Sequence, residues 1–302
     1  MEPGVIPVNA PMNARQFDRS TQDVGNIVLL EHFNVTQPDQ RPTTLFYVVA
    51  LGGTRDPYIM VGLENMWVNF GRTQVHLPSR DPQPQVVRGR IGFVVPDLAA
   101  VKARMQRVAP ALKDTKFSWK EGDGHIDATC PWGNRVRVHP PSAEYGRTEL
   151  GLAYVDFDVP RGAAEGIARF YQEVMDAPAQ VTEDCARVSV GRGQYLYFTE
   201  TDAKIPEYDG HHIEMYIADF SGPYRWLKER GLITMETDAH EWRFQHIVDP
   251  RVEPKAAKPL FEIEHEVRSM RHPLFARPLV NRNPATTNTA YVPGQDAFRG
   301  TY

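Results

Sequence analysis

The sequence predicts an α+β fold made of four β-α-β-β-β modules. Three observations carry that prediction. A strand–helix–strand succession restarts four times, near Ile27, Gly89, Leu152 and His212. The restarts keep register: Phe46-Tyr47 recurs as Phe170-Tyr171, 124 residues on, and Gly71-Arg72-Thr73-Gln74 recurs as Gly191-Arg192-Gly193-Gln194, 120 residues on. Asp97 recurs as Asp219 at an offset of 122, and Asp39 precedes Asp97 by 58. Finally, the stretch 210–220 alternates as one strand does, with His212, Glu214, Tyr216 and Ala218 on one face and Ile213, Met215 and Ile217 on the other.

In chain order, residues 1–26 carry no periodicity and read as an N-terminal arm. The first module has a strand at 27–35, a helix at 42–51 closed by Gly52-Gly53, and strands at 58–63, 65–70 and 74–77. The second has a strand at 89–95, a helix at 98–108, and strands at 123–129 and 134–138. The third runs through 152–159, a helix at 163–175, and strands at 186–190 and 194–198. The fourth has a strand at 212–217, a helix at 221–230 ended by Gly231, and strands at 242–248 and 260–264. Two similar halves follow, 27–145 and 146–267, and then an extended arm, 268–302, rich in Pro, Asn, Thr and Gly.

Composition excludes several classes. Net charge −4, from 34 basic and 38 acidic residues, gives no field for nucleic acid. No apolar run approaches the roughly 20 residues of a membrane helix. No signal-peptide pattern is evident, and the two cysteines, Cys130 and Cys185, form neither a disulfide framework nor a zinc spacing. A soluble cytoplasmic protein acting on a small molecule, with no nucleic-acid or membrane partner, is the expectation.

Arg90-Ile91-Gly92-Phe93-Val94-Val95-Pro96-Asp97-Leu98 resembles the module-opening strand of the vicinal oxygen chelate superfamily, which normally reads His-x-x-apolar-x-Val-x-Asp-Leu. His212 to Phe220 fits that template with its histidine in place, and His32-Phe33-Asn34-Val35 with Asp39 fits it in the first module. Cys130-Pro131-Trp132-Gly133-Asn134 is similar to the Asp-Pro-x-Gly-Asn turn before a module's last strand, and Asp249-Pro250 begins the same turn. Leu260-Phe261-Glu262-Ile263-Glu264 resembles the Glu-bearing last strand of the hydroxyphenylpyruvate-dioxygenase branch. The superfamily includes glyoxalase I, bleomycin-resistance proteins and type I extradiol dioxygenases. The resemblance covers about residues 27 to 267 and implies modules paired into two half-barrel domains. Such assemblies often associate further, so a homodimer is expected.

It also implies where a metal sits: on first and last strands of paired modules. In the first half those positions are His32, Arg90, His76 and Arg137. Guanidinium offers no lone pair, so His32, His76 and Arg90 are expected to line a second, basic cup, with Trp67, suited to an anionic group. In the second half the positions are Asp156, His212, Leu196 and Glu262, with Glu264 two residues on and facing the same way. His212, Asp156 and Glu262 or Glu264 are the expected ligands of one divalent metal, Fe(II) first, with Mn, Zn, Ni or Mg as alternatives. Glu264 is the expected base and Tyr197 a proton donor; Tyr195, Tyr216 and His246 are expected to touch substrate. The function implied is a metal-dependent small-molecule enzyme, narrowly an extradiol-dioxygenase-like oxygenase. A glyoxalase-like isomerase or lyase is the second reading and a metal-free binding protein the third.

Overall fold

The computed structural model describes residues 23–56, 64–146, 148–254 and 256–277. The expected strand at 58–63 lies outside them, as does the arm beyond residue 277. Each module supplies an opening strand, a helix, and a hairpin-linked set of further strands. Module one comprises β1 (Ile27–Asn34), α1 (Gln40–Thr44) continuing as a π-helical turn (Leu45–Ala50), β2 (Thr54–Arg55), β3 (Asn65–Phe70) and β4 (Thr73–Pro78). Module two comprises β5 (Gly89–Val94), α2 (Leu98–Val108), β6 (Ser118–Glu121), β7 (Ile126–Thr129) and β8 (Arg135–His139). Module three comprises β9 (Gly151–Pro160), α3 (Ala164–Glu173), β10 (Ala179–Thr182), β11 (Cys185–Ser189) and β12 (Tyr195–Thr201). Module four comprises β13 (His212–Ile217), α4 (Ser221–Glu229), β14 (Ile233–Thr237), β15 (Glu241–Ile247) and β16 (Phe261–Ser269).

The recurring aspartates have a local physical cause. Asp39 and Asp97 are helix N-caps, whose carboxylates accept from the backbone N–H groups of Arg41 and Ala100 at 2.8 and 2.9 Å. Asp219 accepts likewise from Gly222 at 3.1 Å. Each ends an opening strand and starts a helix at a fixed distance, which makes the repeat visible in sequence. The helices cover one face of each sheet. α3, for example, buries Ile167, Phe170 and Tyr171. On β13, Ile213, Met215 and Ile217 enter the common apolar core.

The strand order corrects the expected division at 145/146. One sheet runs β14-β15-β16-β13-β1-β4-β3-β2 and the other β10-β11-β12-β9-β5-β8-β7-β6. Module one therefore pairs with module four, and module two with module three. The seams are antiparallel, β1 on β13 and β5 on β9. Neither half closes a cup by itself. Four short strands, β2, β6, β10 and β14, go beyond the expected elements; they are the outer strands of their sheets, and β6 and β14 are mostly exposed, with little apolar alternation to reveal them. The last strand was read too short. It runs on through Glu266 and Arg268, both buried, because β13 and β15 flank it along that length.

Candidate functional site

Pairing of modules one and four gathers three histidines that the sequence reading kept apart. His32 lies on β1, His76 on β4 and His212 on β13, and one ring nitrogen from each lies within 4.8 Å of the others. Glu266, on β16, brings its Oε2 to 3.2 Å from His212 Nε2. Trp67 walls the cup, stacked on His76 at 3.9 Å and edge-on to His32 at 4.8 Å.

The backbone aims each ring. A register shift between Leu30 and His32 gives β1 a bulge, which re-aims side chains. Glu31 consequently reaches its own neighbour and accepts from His32 Nδ1 at 2.7 Å. That hydrogen bond leaves Nε2 as the lone-pair nitrogen. His32 Nε2 is buried without a hydrogen-bond partner, and His212 Nε2 is buried facing the Glu266 carboxylate at 3.2 Å. His76 differs. Its Nδ1 accepts from Asn34 and its Nε2 donates to Asn65, both at short range.

Electrostatics suit a cation. Burial pushes the His32 imidazole below its usual value against the pull of Glu31. Burial also pushes His76 well below, helped by His32 and His212. Neutral rings are competent ligands. Burial raises the Glu31 carboxyl, but the bond to His32 and the charges of His32 and Arg268 outweigh it, so it lies below its usual value. Burial, with the charges of Glu31 and Glu266 beside it, holds Glu214 well above its usual range, against the pull of Arg268. Arg243 donates to Glu241, Glu264 and Glu266 at 2.8, 2.8 and 2.6 Å. Arg268 pairs with Glu266 at short range and approaches Glu241 and Glu31 at 3.6 and 3.9 Å. The buried imidazoles, gathered with the Glu266 carboxylate beside them, are the observation by which the residues fit a metal.

Several expectations are corrected by the same topology. Asp156 is on β9 in the other sheet, where its carboxylate accepts from Thr199 at 2.8 Å; it is no partner of His212. Glu262 pairs with His246 at 3.2 Å on the half-exposed rim, so neither joins the three histidines. Glu264 lies 3.5 Å from His212 Nδ1, too long for a hydrogen bond, and is held by Arg243. Tyr195 and Tyr197 are on β12 of the other sheet, beside Arg187, far in topology from His212. Leu196 faces the core between them. Tyr216 shares the sheet of His212 but is fully buried against Phe275, at 4.9 Å, so it is not placed as a substrate contact. His32 and His76 do not form a second cup with Arg90, which faces β9 from β5. Trp67 goes with them. His211, without positional support in the sequence, hydrogen-bonds Asp209 at 2.5 Å. Sequence reasoning missed Glu31, Glu214 and Glu266. The signal for Glu266 was present in the alternation Glu262, Glu264, Glu266, and was cut off by ending the strand early.

Two sheets of paired β-α-β-β-β modules, each with a polar cup opposite its helices, define the vicinal oxygen chelate fold. Solved structures bear this out. Glyoxalase I from Zea mays superposes with a TM-score of 0.56 at 13% identity, over 80% of this chain and 92% of that one. A Bacillus subtilis subsp. subtilis str. 168 protein described as a "putative dioxygenase" gives 0.55 at 13% identity, over 81% and 85%. In sequence, no protein-family model and no curated protein matches the chain.

Proposed function

We propose that the chain is a metal-dependent oxygenase of the extradiol type, acting on a small molecule with two adjacent oxygens. His32, His212 and Glu266 would hold one divalent ion, Fe(II) by preference. The observation that carries this reading is the convergence of His32 and His212 with a buried carboxylate: His32 Nε2 has no hydrogen-bond partner, and His212 Nε2 faces Glu266 at 3.2 Å. Two imidazoles and one carboxylate are a donor set that would suit such an ion and would leave room for substrate. When bound, such an ion supplies Lewis acidity toward the paired oxygens and a redox centre for O2.

The chain's own residues do the rest. Glu31 fixes the tautomer of His32, and Arg243 and Arg268 orient Glu266. Trp67 offers a flat wall to a ring. His76 is a neutral imidazole kept outside the ligand set by Asn34 and Asn65. It takes up the hydroxyl proton of the substrate at Nδ1, the nitrogen that otherwise accepts from Asn34. The likeness to a protein described as a dioxygenase supports the reading.

A second reading has its own observation. The third imidazole, His76, is within 4.8 Å of the other two and would make a fourth ligand. Four protein ligands leave two positions, which suits a redox-silent ion and an isomerase or lyase with Glu264 as base; the likeness to glyoxalase I supports it. One variant separates the two. Elemental analysis of purified His76→Ala should show the metal retained, while oxygen uptake with a panel of catechols is lost at least about a hundredfold. Metal lost in His76→Ala supports the four-ligand reading. A wild-type protein without stoichiometric metal overturns both and leaves the binding-protein class.

A further inference from the structure

The second sheet has a cup of its own, and strand register gives its correspondence to the first. On the seam of the first sheet His32 faces Glu214 and Asn34 faces His212. On the seam of the second Arg90 faces Asp156 and Gly92 faces Tyr154. His76 flanks Asn34, and Arg137 flanks Gly92. Glu266 flanks Glu214, and Tyr197 flanks Asp156. The places of His32, His76, His212 and Glu266 are thus taken by Arg90, Arg137, Tyr154 and Tyr197. Three lone-pair nitrogens and a carboxylate are replaced by two guanidiniums and two phenols. A site built to hold a cation becomes one built to hold an anion.

Among the described residues, the charge pairing inside this cup leaves Arg90 and Arg187 without a carboxylate partner. Asp127 is taken by Arg137 through two bonds of 2.7 and 3.0 Å. Asp158 is taken by Arg135 at 2.6 Å, and Asp156 accepts from Thr199. Among the described residues Arg90, half-buried at the centre, makes no hydrogen bond or ion pair. Arg187 lies over the Tyr195 ring at 3.8 Å and keeps a buried Nε without an acceptor. The cavity that opens onto Arg90 has about 320 Å³ and is lined also by Trp119, Lys120, Thr129, Arg135 and Asp127, the last held by Arg137. That is the lower end of small-ligand sites. The rings of Tyr154 and Tyr197 meet edge to face at 5.4 Å on the cup floor.

We infer that this second cup binds a small aromatic carboxylate, its planar oxyanion on the fork of Arg90 and its ring against Trp119. A guanidinium fork matches a carboxylate with two parallel N–H···O bonds, and flat aromatic walls suit a flat body. The site needs no metal and is separate from the histidine cup, so the two readings stand or fall independently.

Calorimetric titration of the full chain with benzoate tests it, after chelator treatment so that no carboxylate can be held by a metal. Inorganic phosphate and benzamide are the comparison probes. Saturable benzoate binding is expected, weakened about tenfold or more by Arg90→Gln and less by Arg90→Lys, with benzamide silent. His212→Ala should leave it unchanged. Circular dichroism checks the folding of the variants, and Arg90→Lys, which keeps the charge, carries the comparison if Arg90→Gln fails to fold. No saturable benzoate binding overturns the inference. So does binding that Arg90→Gln leaves intact, and phosphate binding as tight as benzoate overturns the aromatic-acid assignment.

Discussion

At the scale of single residues, the histidine cup depends on a carboxylate that would touch no ion. Glu31 accepts from His32 Nδ1 and lies beside Glu214, which approaches the same nitrogen at 3.7 Å. Removing an acceptor of this kind lets the ring turn or change tautomer, and such changes cost metal affinity about 10–100-fold. Glu31→Leu is therefore expected to weaken binding of the metal by that factor in chelator competition, while Glu31→Gln, which still accepts through its amide oxygen, retains most of it. Equal loss in both would show that charge, rather than the hydrogen bond, is what Glu31 supplies. Buried ion pairs nearby act in the same sense: Arg243 and Arg268 orient the carboxylates more than they stabilise the fold.

At the scale of elements, the second cup shows how one missing Cβ sets a strand. Gly92 lies opposite Tyr154 on the β5–β9 seam, and a Cβ there would sit 2.1 Å from the Tyr154 ring. The ring lies flat over the strand, and its hydroxyl meets His139 Nε2 at 3.0 Å. Gly92→Ala must push that ring out. The expected cost is about 1–3 kcal/mol in urea denaturation, as for other overpacked sites, and the Gly92→Ala, Tyr154→Ala pair should be less destabilised than the sum of its members. The sequence made the strands themselves legible, because β13 alternates strictly and Asp39, Asp97 and Asp219 mark the helix starts. It placed the third-module equivalent of His212 at Asp156, two residues past Tyr154, because that strand ends at Pro160 without the marking aspartate.

At the scale of the whole molecule, the chain's pairing rule decides the site, and it was the part least legible in sequence. All four opening strands share one pattern, so nothing in β1 says whether its seam partner is β5 or β13. The half-to-half similarity suggested the nearer one. Long-range contacts also hold the two sheets together: the Gln194 side chain donates to the carbonyls of Leu30 and Leu152 at 2.8 and 2.9 Å and accepts from Leu30 N–H at 3.1 Å, tying β1 of one sheet to β9 of the other. Gly71, with φ +62, lets the β3–β4 turn close onto the Leu150 carbonyl, where a Cβ would stand 2.2 Å away. The consequence is testable by cutting the chain between residues 145 and 146. Each fragment then lacks both seam partners and leaves β1 and β5, or β9 and β13, as bare edges with their backbone groups unpaired. Expressed alone, each fragment should be insoluble or show no cooperative unfolding. Expressed together, they should co-purify and recover both sheets, with the histidine cup formed only in the complex. A soluble, cooperatively unfolding 1–145 fragment would refute the cross-half pairing, and with it the convergence of His32 and His76 on His212.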